Sequence, residues 1–183
     1  MSDAINLMMQ EHQLIKRALH IMRKLSWQVL QSSDVNYRDF DLIIDFIRNF
    51  ADKHHHMKEE DILFTMMGQE LGENISKGPV TGMLIEHDLG RQYISGLEES
   101  LARYKKGDDE ARLDIIANAI SYTHLLGNHI EREDMILYEF ARRSLSDKAK
   151  EELNRRCQQV EAEMAKTGLQ EKYHRLIAHW EEA

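Results

Sequence analysis

One pair of histidine motifs occurs twice along the chain, in the same order and at nearly the same spacing. The first copy is Glu11-His12 followed by the run His56–Asp61, and the second is Glu86-His87 followed by His129–Asp134. The two histidines lie 44 residues apart in the first copy and 42 residues apart in the second. Each half therefore offers one isolated histidine and one histidine with a glutamate four residues later. If the two halves pack face to face, these six polar groups converge.

The spacing of four within each motif places histidine and glutamate on one face of a helix, about 5–6 Å apart. This applies to His56 with Glu60 and to His129 with Glu133. His55 and Glu59 have the same spacing, but neighbouring helical positions differ by about 100°, so we expect only one of the two pairs to face the core. We choose His56 with Glu60, because this pair aligns with His129 and Glu133: in both copies the glutamate is followed by aspartate. His54 and His55 are then predicted at the rim.

Apolar residues recur at three- and four-residue spacing over four long segments, which predicts helices. The predicted bounds are 3–31, 37–67, 79–105 and 108–143, with shorter helices at 147–166 and 169–181. Ser32-Ser33-Asp34 is predicted to break the chain after the first helix. We expect Asn36 to cap the second helix, Pro79 to open the third, and Gly107 to close it. Gly168 is predicted to separate the last two helices.

Four rods of about 42 Å with modest connections predict an all-α, up-down-up-down four-helix bundle with extra C-terminal helices. The predicted bundle spans residues 1–145. Residues 146–183 are predicted to form a C-terminal helical extension that packs on the same domain. Strand signals are negligible, because no segment alternates apolar and polar residues at period two.

Composition excludes several classes of partner and location. The net charge is −8 and no sustained block of basic residues occurs, so we expect no nucleic-acid partner. No apolar run approaches the roughly 18 residues of a membrane span, so no membrane association is predicted. Cys157 is the single cysteine and the first residues lack a signal-peptide pattern, which together favour the cytoplasm. The sequence leaves the oligomeric state open, including a homo-oligomer.

The six motif groups are of the kinds that bind transition metals. Imidazole suits iron, zinc, copper and nickel, whereas carboxylates suit harder ions and can bridge two of them. Ferritin-like bundles use Glu-x-x-His, with the reverse order and a spacing of three, so the set here is richer in nitrogen. A non-haem di-iron centre is therefore favoured, with Glu60 and Glu133 as the predicted bridges. The predicted metal ligands are His12, His56, Glu60, His87, His129 and Glu133.

The four motifs, in this order and at this spacing, resemble the hemerythrin-like, His-His-Glu cation-binding family. The stretch Gly78-Pro79-Val80-Thr81-Gly82-Met83-Leu84-Ile85-Glu86-His87 is also similar to stand-alone bacterial members. The resemblance covers about residues 3–143. It implies a bundle that holds two non-haem iron ions, bridged by an oxo or hydroxo group.

The chain departs from the oxygen-carrying members of that family, which use five histidines and two carboxylates. Those members carry a second histidine on the third helix, but the positions four residues either side of His87 here hold Met83 and Arg91. The predicted donors therefore leave room for an outside ligand or for a further protein ligand. His55 and Tyr122 are the residues considered for that role, and Tyr122 is expected to be a buried core residue.

The resemblance implies that the iron centre binds or senses O2 or a related small oxidant, such as nitric oxide or peroxide. One alternative is a di-iron peroxidase or oxidase, because open metal positions can activate a substrate. Another is an iron-responsive regulatory module, because metal ligands on separate helices couple binding to folding. The sequence does not decide whether the chain is an enzyme.

Overall fold

The computed structural model describes residues 3–31 and 34–182, and this part of the chain is almost wholly helical. Of the predicted break at Ser32-Ser33-Asp34, Ser32 and Ser33 lie outside the described residues. Six helices follow one another in the described ranges, two of them built from α-helical and wider π-helical segments. Four helices are single segments: the first is Ala4–Gln31, the third Thr81–Lys105, the fifth Asp147–Thr167 and the sixth Leu169–Glu182. The second helix consists of Tyr37–Phe46, the π segments Ile47–His56 and Lys58–Phe64, and Thr65–Leu71. The fourth consists of Ala111–Arg132, the π segment Glu133–Leu137, and Tyr138–Ser144.

Most of the predicted helix ends lie within a few residues of the observed ones. The side chain of Asn36 accepts a hydrogen bond from the backbone N–H of Asp39, as expected of an N-cap. Gly107 and Gly168 follow the third and fifth helices with φ of +95° and +67°, a backbone region that strains other residues. Pro79 does not open the third helix, because it lies inside the preceding π turn, Ser76–Val80.

Contacts between side chains show that successive bundle helices run antiparallel. Along the second and third helices, Arg48 reaches Glu98, whereas Asp52 reaches Arg91. Along the first and fourth helices, His12 contacts Asp134, whereas Arg23 reaches His124. Residue numbers that rise on one helix fall on its neighbour, so the chain forms the up-down-up-down bundle that its sequence predicts.

The bundle interior holds two separate apolar clusters. The terminal core surrounds the start of the first helix and includes Met8, Leu63 and Met67. The distal core occupies the other end of the bundle and includes Met22 and Phe46. The motif residues of all four helices fall between these two cores, at a level that is buried yet polar.

The two C-terminal helices pack on the bundle as an extension. Leu153 and Cys157 of the fifth helix join the terminal core, whereas Tyr173, Ile177 and Trp180 of the sixth helix join the distal core. The extension therefore covers one side of the bundle across the level of the buried polar groups. No helix within the described ranges combines the length and apolar character that crossing a bilayer requires.

Candidate metal centre

Seven polar side chains from the four bundle helices meet between the two cores, each at most 5% exposed. They form two overlapping groups, and within each group one potential ligand atom per residue lies within 4.8 Å of the others. The His12 group contains His12, His55, Glu59 and Glu133, and the His129 group contains His56, Glu59, His87 and His129. Glu59 is therefore common to both groups.

The carboxylates join the two groups across the bundle. Oε2 of Glu59 lies 3.5 Å from Nε2 of His55 and 3.5 Å from Nε2 of His87. Oε2 of Glu133 lies 3.4 Å from Nε2 of His12 and 3.1 Å from Nε2 of His129. Each glutamate thus faces one histidine of each group, which is the arrangement that bridging of two metal ions requires.

Among the residues that the structure describes, several inward-facing atoms of these groups have no hydrogen-bond partner. They are Nε2 of His12 and His55, Oε2 of Glu59, and both carboxylate oxygens of Glu133. Leaving a buried polar atom unsatisfied costs roughly 1–3 kcal/mol, and more when the atom belongs to a charged group. Bound cations would use these lone pairs, so the residues present fit a metal centre.

Each of the five histidines turns its Nδ1 toward a carboxylate on the outer side of the centre. The Nδ1–O distances are 2.6 Å for His12 with Asp134, 2.7 Å for His55 with Glu11, 3.5 Å for His56 with Asp52, 2.6 Å for His87 with Glu60, and 2.8 Å for His129 with Glu86. A carboxylate that accepts the Nδ1 proton leaves Nε2 as the lone-pair donor. The outer carboxylates of His12, His55, His87 and His129 thereby select the tautomer that a metal ion needs, whereas Nδ1 of His56 has no hydrogen-bond partner among the described residues.

Burial sets the charge states of the inner groups. Burial, together with the neighbouring histidines, lowers the pKa of His55, His56 and His87 to about 4, so these rings are neutral near neutral pH. Burial and then the charge of Glu133 raise the pKa of Glu59 well above its usual range. Burial opposes ionisation of Glu133 as well, but His129 and His12 hold the pKa of Glu133 well below its usual range.

Sequence reasoning missed Tyr138, which is fully buried beside the His12 group. Its hydroxyl donates a hydrogen bond to Oε1 of Glu59. Its ring lies parallel to that of His12, with centroids 5.4 Å apart. Tyr138 follows Glu133 by five residues, a spacing that points to another face of an α-helix. The π segment Glu133–Leu137 lies between them, and helical periodicity gives no signal for it.

The structure brings together five of the six predicted ligands, namely His12, His56, His87, His129 and Glu133. It does not place Glu60 with them. Glu60 lies outside, where it contacts Nδ1 of His87 and the guanidinium of Arg91, both at 2.6 Å. Glu59 takes the inner place instead. That these groups bind metal stays a prediction, and Tyr122 lies in the distal core as expected.

The buried pair is His55 with Glu59 and not the predicted His56 with Glu60. His56 is buried as well, so the adjacent His55 and His56 are only 1% and 5% exposed. The reason is the π-helical backbone of Ile47–His56 and Lys58–Phe64. A π turn holds more residues than an α turn, so adjacent side chains diverge by less than about 100°. His55 therefore faces the His12 group while His56 faces the His129 group.

A different alignment of the two halves would have found the inner pair. His55, Glu59 and Glu60 match His129, Glu133 and Asp134, and His12 is then 43 residues from its partner against 42 in the second half. Under this alignment, the first glutamate of each pair faces inward. The acidic residue that follows accepts from the isolated histidine of the opposite half. Glu11 and Glu86 likewise orient histidines of neighbouring helices.

The family model of the hemerythrin HHE cation binding domain matches residues 3–141, which hold every residue of the two groups. The chain belongs to the hemerythrin HHE family. A comparison with curated proteins finds no match. The hemerythrin match ends within the fourth helix, so the fifth and sixth helices lie beyond the part of the chain that defines the family. A cation-binding function for the bundle agrees with the histidine and glutamate groups at its centre.

Proposed function

We propose that this hemerythrin-like protein holds two iron ions and binds O2 or a related small oxidant, such as nitric oxide or peroxide, at them. The observation that carries the proposal is the pair of overlapping groups that share Glu59 and have unpartnered inward atoms. Five imidazoles and two carboxylates form a donor set that suits iron. The single thiol, Cys157, is buried in the terminal core and is not part of either group.

In this proposal the His12 group would hold one ion and the His129 group the other, with Glu59 and Glu133 shared between them. The His12 group offers two imidazoles and the His129 group offers three. The ion at the His12 group would therefore have more room for a small outside ligand. Iron would supply the reversible redox change there, and the protein supplies orientation, charge and a dry surrounding.

The surrounding residues support these proposed roles of the protein in excluding water and orienting the ligands. The terminal and distal cores exclude water from both ends of the centre. Asp134 and Glu11 hold His12 and His55 in the tautomer that presents Nε2 inward. Tyr138 fixes one oxygen of Glu59, so that the other oxygen stays directed at the histidines.

The test is iron content and optical absorption of the chain purified without a metal-affinity tag, in air and after anaerobic reduction. We expect about two irons per chain, and absorption bands that change on reduction and return with O2. A chain that binds no iron, even after anaerobic reconstitution, would overturn the proposal and leave a helical interaction module.

A peroxide-consuming enzyme is the second candidate, and Tyr138 is the observation that favours it. Burial and the charge of Glu59 raise the pKa of Tyr138 well above its usual range, so its phenol keeps a proton beside the His12 group. A protonated phenol at that place can deliver a proton to a substrate oxygen. Steady consumption of peroxide that falls in Tyr138→Phe would favour the enzyme, whereas reversible binding without turnover would favour the sensor.

A further inference from the structure

The two halves of the bundle carry equivalent groups of three residues around the outer face of one histidine each. In the first half, Glu11 accepts from Nδ1 of His55 at 2.7 Å, and Lys58, three residues after that histidine, donates to Glu11. In the second half, Glu86 accepts from Nδ1 of His129 at 2.8 Å, and Arg132, again three residues later, donates to Glu86. Each half thus holds a histidine through a carboxylate that a cation fixes.

The two cations have very different surroundings. The side chain of Arg132 is 43% exposed, whereas that of Lys58 is 0% exposed. Arg132 is thus open to solvent. The fifth helix, which belongs to the C-terminal extension, covers Lys58 and brings Glu161 to it.

Glu161 completes a buried network around the Lys58 ammonium. Lys58 donates to both Glu11 and Glu161, and Nε2 of His54 lies 3.1 Å from Glu11 and 3.0 Å from Glu161. Glu11, His54 and Glu161 have the spacing of a third cation site. The Lys58 ammonium lies among them, so this place already has its cation.

A buried ammonium is stable only when it is paired and its protons are hydrogen-bonded. Lys58 without Glu161 would have Glu11 as its only carboxylate, under a helix that excludes water. The ammonium would then shift or draw water in. Either change moves Glu11, which is the carboxylate that selects the tautomer of His55.

We propose that Glu161 is a positioning residue for the metal centre: from the C-terminal extension it holds Lys58 against Glu11, and Glu11 in turn orients His55. This inference rests on the proposed function. It gives the extension, which lies outside the family match, a role at the His12 group alone. In the His129 group the equivalent outer residues are Glu86 and Arg132, and neither is held by a residue of the extension.

The experiment compares Glu161→Gln with Glu163→Gln, its matched control. Glu163 lies two residues along the same helix, is 72% exposed and pairs only with Lys166 among the ion pairs of the described residues. Both variants and the parent chain are loaded with iron and challenged with a chelator, and iron per chain is followed over time. Loss of an outer partner of a metal-bound histidine typically weakens metal affinity about 10- to 100-fold. We expect Glu161→Gln to release one iron about tenfold faster and the other at the parent rate.

Equal release from Glu161→Gln and Glu163→Gln would overturn the inference, as would faster release of both irons. A second arm combines Glu161→Gln with Lys58→Met. If Glu161 acts through Lys58, the second substitution removes its effect, so the two changes are not additive. Additive effects would contradict the proposed route.

A parent chain without iron would overturn the proposed function and leave the network testable on the metal-free protein. Nitrogen chemical shifts of the His55 ring report its tautomer directly. Glu161→Gln is expected to lower the fraction of His55 with the proton on Nδ1, and Glu163→Gln to leave it unchanged. An unchanged His55 tautomer in Glu161→Gln would contradict the positioning role by a measurement that needs no metal.

Discussion

Replacing Glu59 by Gln is expected to affect the metal-free and the iron-loaded protein in opposite directions. Glu59 is fully buried, belongs to both groups and has an inward oxygen without a hydrogen-bond partner. In the metal-free protein this carboxyl destabilises the folded state at neutral pH, because burial and Glu133 disfavour its charge. In the proposed iron-loaded protein the same carboxylate would be shared by the two ions.

The magnitude for the metal-free protein follows from linkage. A group with a raised pKa in the folded state contributes fully below its unfolded pKa, here 4.5, and loses that contribution as pH rises through the folded pKa. Each pH unit in that window is worth about 1.4 kcal/mol. We therefore compare the free energy of unfolding of Glu59→Gln with that of the parent chain at each pH. Between pH 5 and pH 7 the difference should rise by up to about 3 kcal/mol in favour of the variant. For a chain of this length that is a melting-temperature difference of roughly 6–12 °C.

The assay is thermal unfolding at pH 5 and pH 7, in chelator and after iron loading, with iron content measured in parallel. Glu60→Gln is the matched control, because Glu60 is partly exposed and contacts the outer side of His87 and the guanidinium of Arg91. We expect Glu59→Gln to lose iron and Glu60→Gln to retain both ions with weaker affinity. The reverse result would refute the structural assignment and restore the one drawn from sequence. A lower melting temperature of metal-free Glu59→Gln at pH 7 would refute the electrostatic argument.

Three further outcomes are expected. Lys58→Met leaves two carboxylates without their buried cation, so urea unfolding should show a loss of roughly 3–5 kcal/mol, against under about 0.5 kcal/mol for the exposed Lys166→Met. Tyr138→Phe removes the hydrogen bond to Glu59, and calorimetry of the metal-free protein should show a loss of roughly 1–3 kcal/mol. The free energy of unfolding of metal-free Glu59→Gln, measured in urea, should fall as pH falls from 6.5 toward 4. The buried His55, His56 and His87 have a pKa of about 4, so the unfolded chain takes up protons first. A free energy of unfolding that does not change with pH would contradict their burial as neutral rings.

The fold was predictable because it depends on periodicity and on helix ends. Apolar residues at three- and four-residue spacing mark each bundle helix, and local residues such as Asn36 and Gly168 define helix ends through backbone chemistry. Both signals lie within one segment of sequence. The up-down-up-down arrangement then follows from the short connections between long helices.

The inner part of the site was harder to predict from sequence, because it depends on π-helical backbone geometry. Arguments from periodicity assume a regular α-helix. A fixed angle of about 100° per residue, which π-helical segments do not keep, made the two pairs exclude one another. Glu60 was then chosen over Glu59 because Glu60-Asp61 matches Glu133-Asp134. The outer carboxylates could not be assigned from sequence for another reason. Glu11 and Glu86 orient histidines on neighbouring helices, and such contacts across helices have no signature in local spacing.

The position of the centre between two apolar cores has a consequence for the route by which small molecules arrive. Met8 and Met67 close the bundle on one side of the centre, and Met22 and Phe46 close it on the other, each with no exposed surface. Travel along the bundle axis would have to displace close-packed side chains. If the centre binds a gas or peroxide as proposed, that molecule would enter between adjacent helices. Its rate of entry would then depend on fluctuations that separate the helices and not on an open channel along the axis.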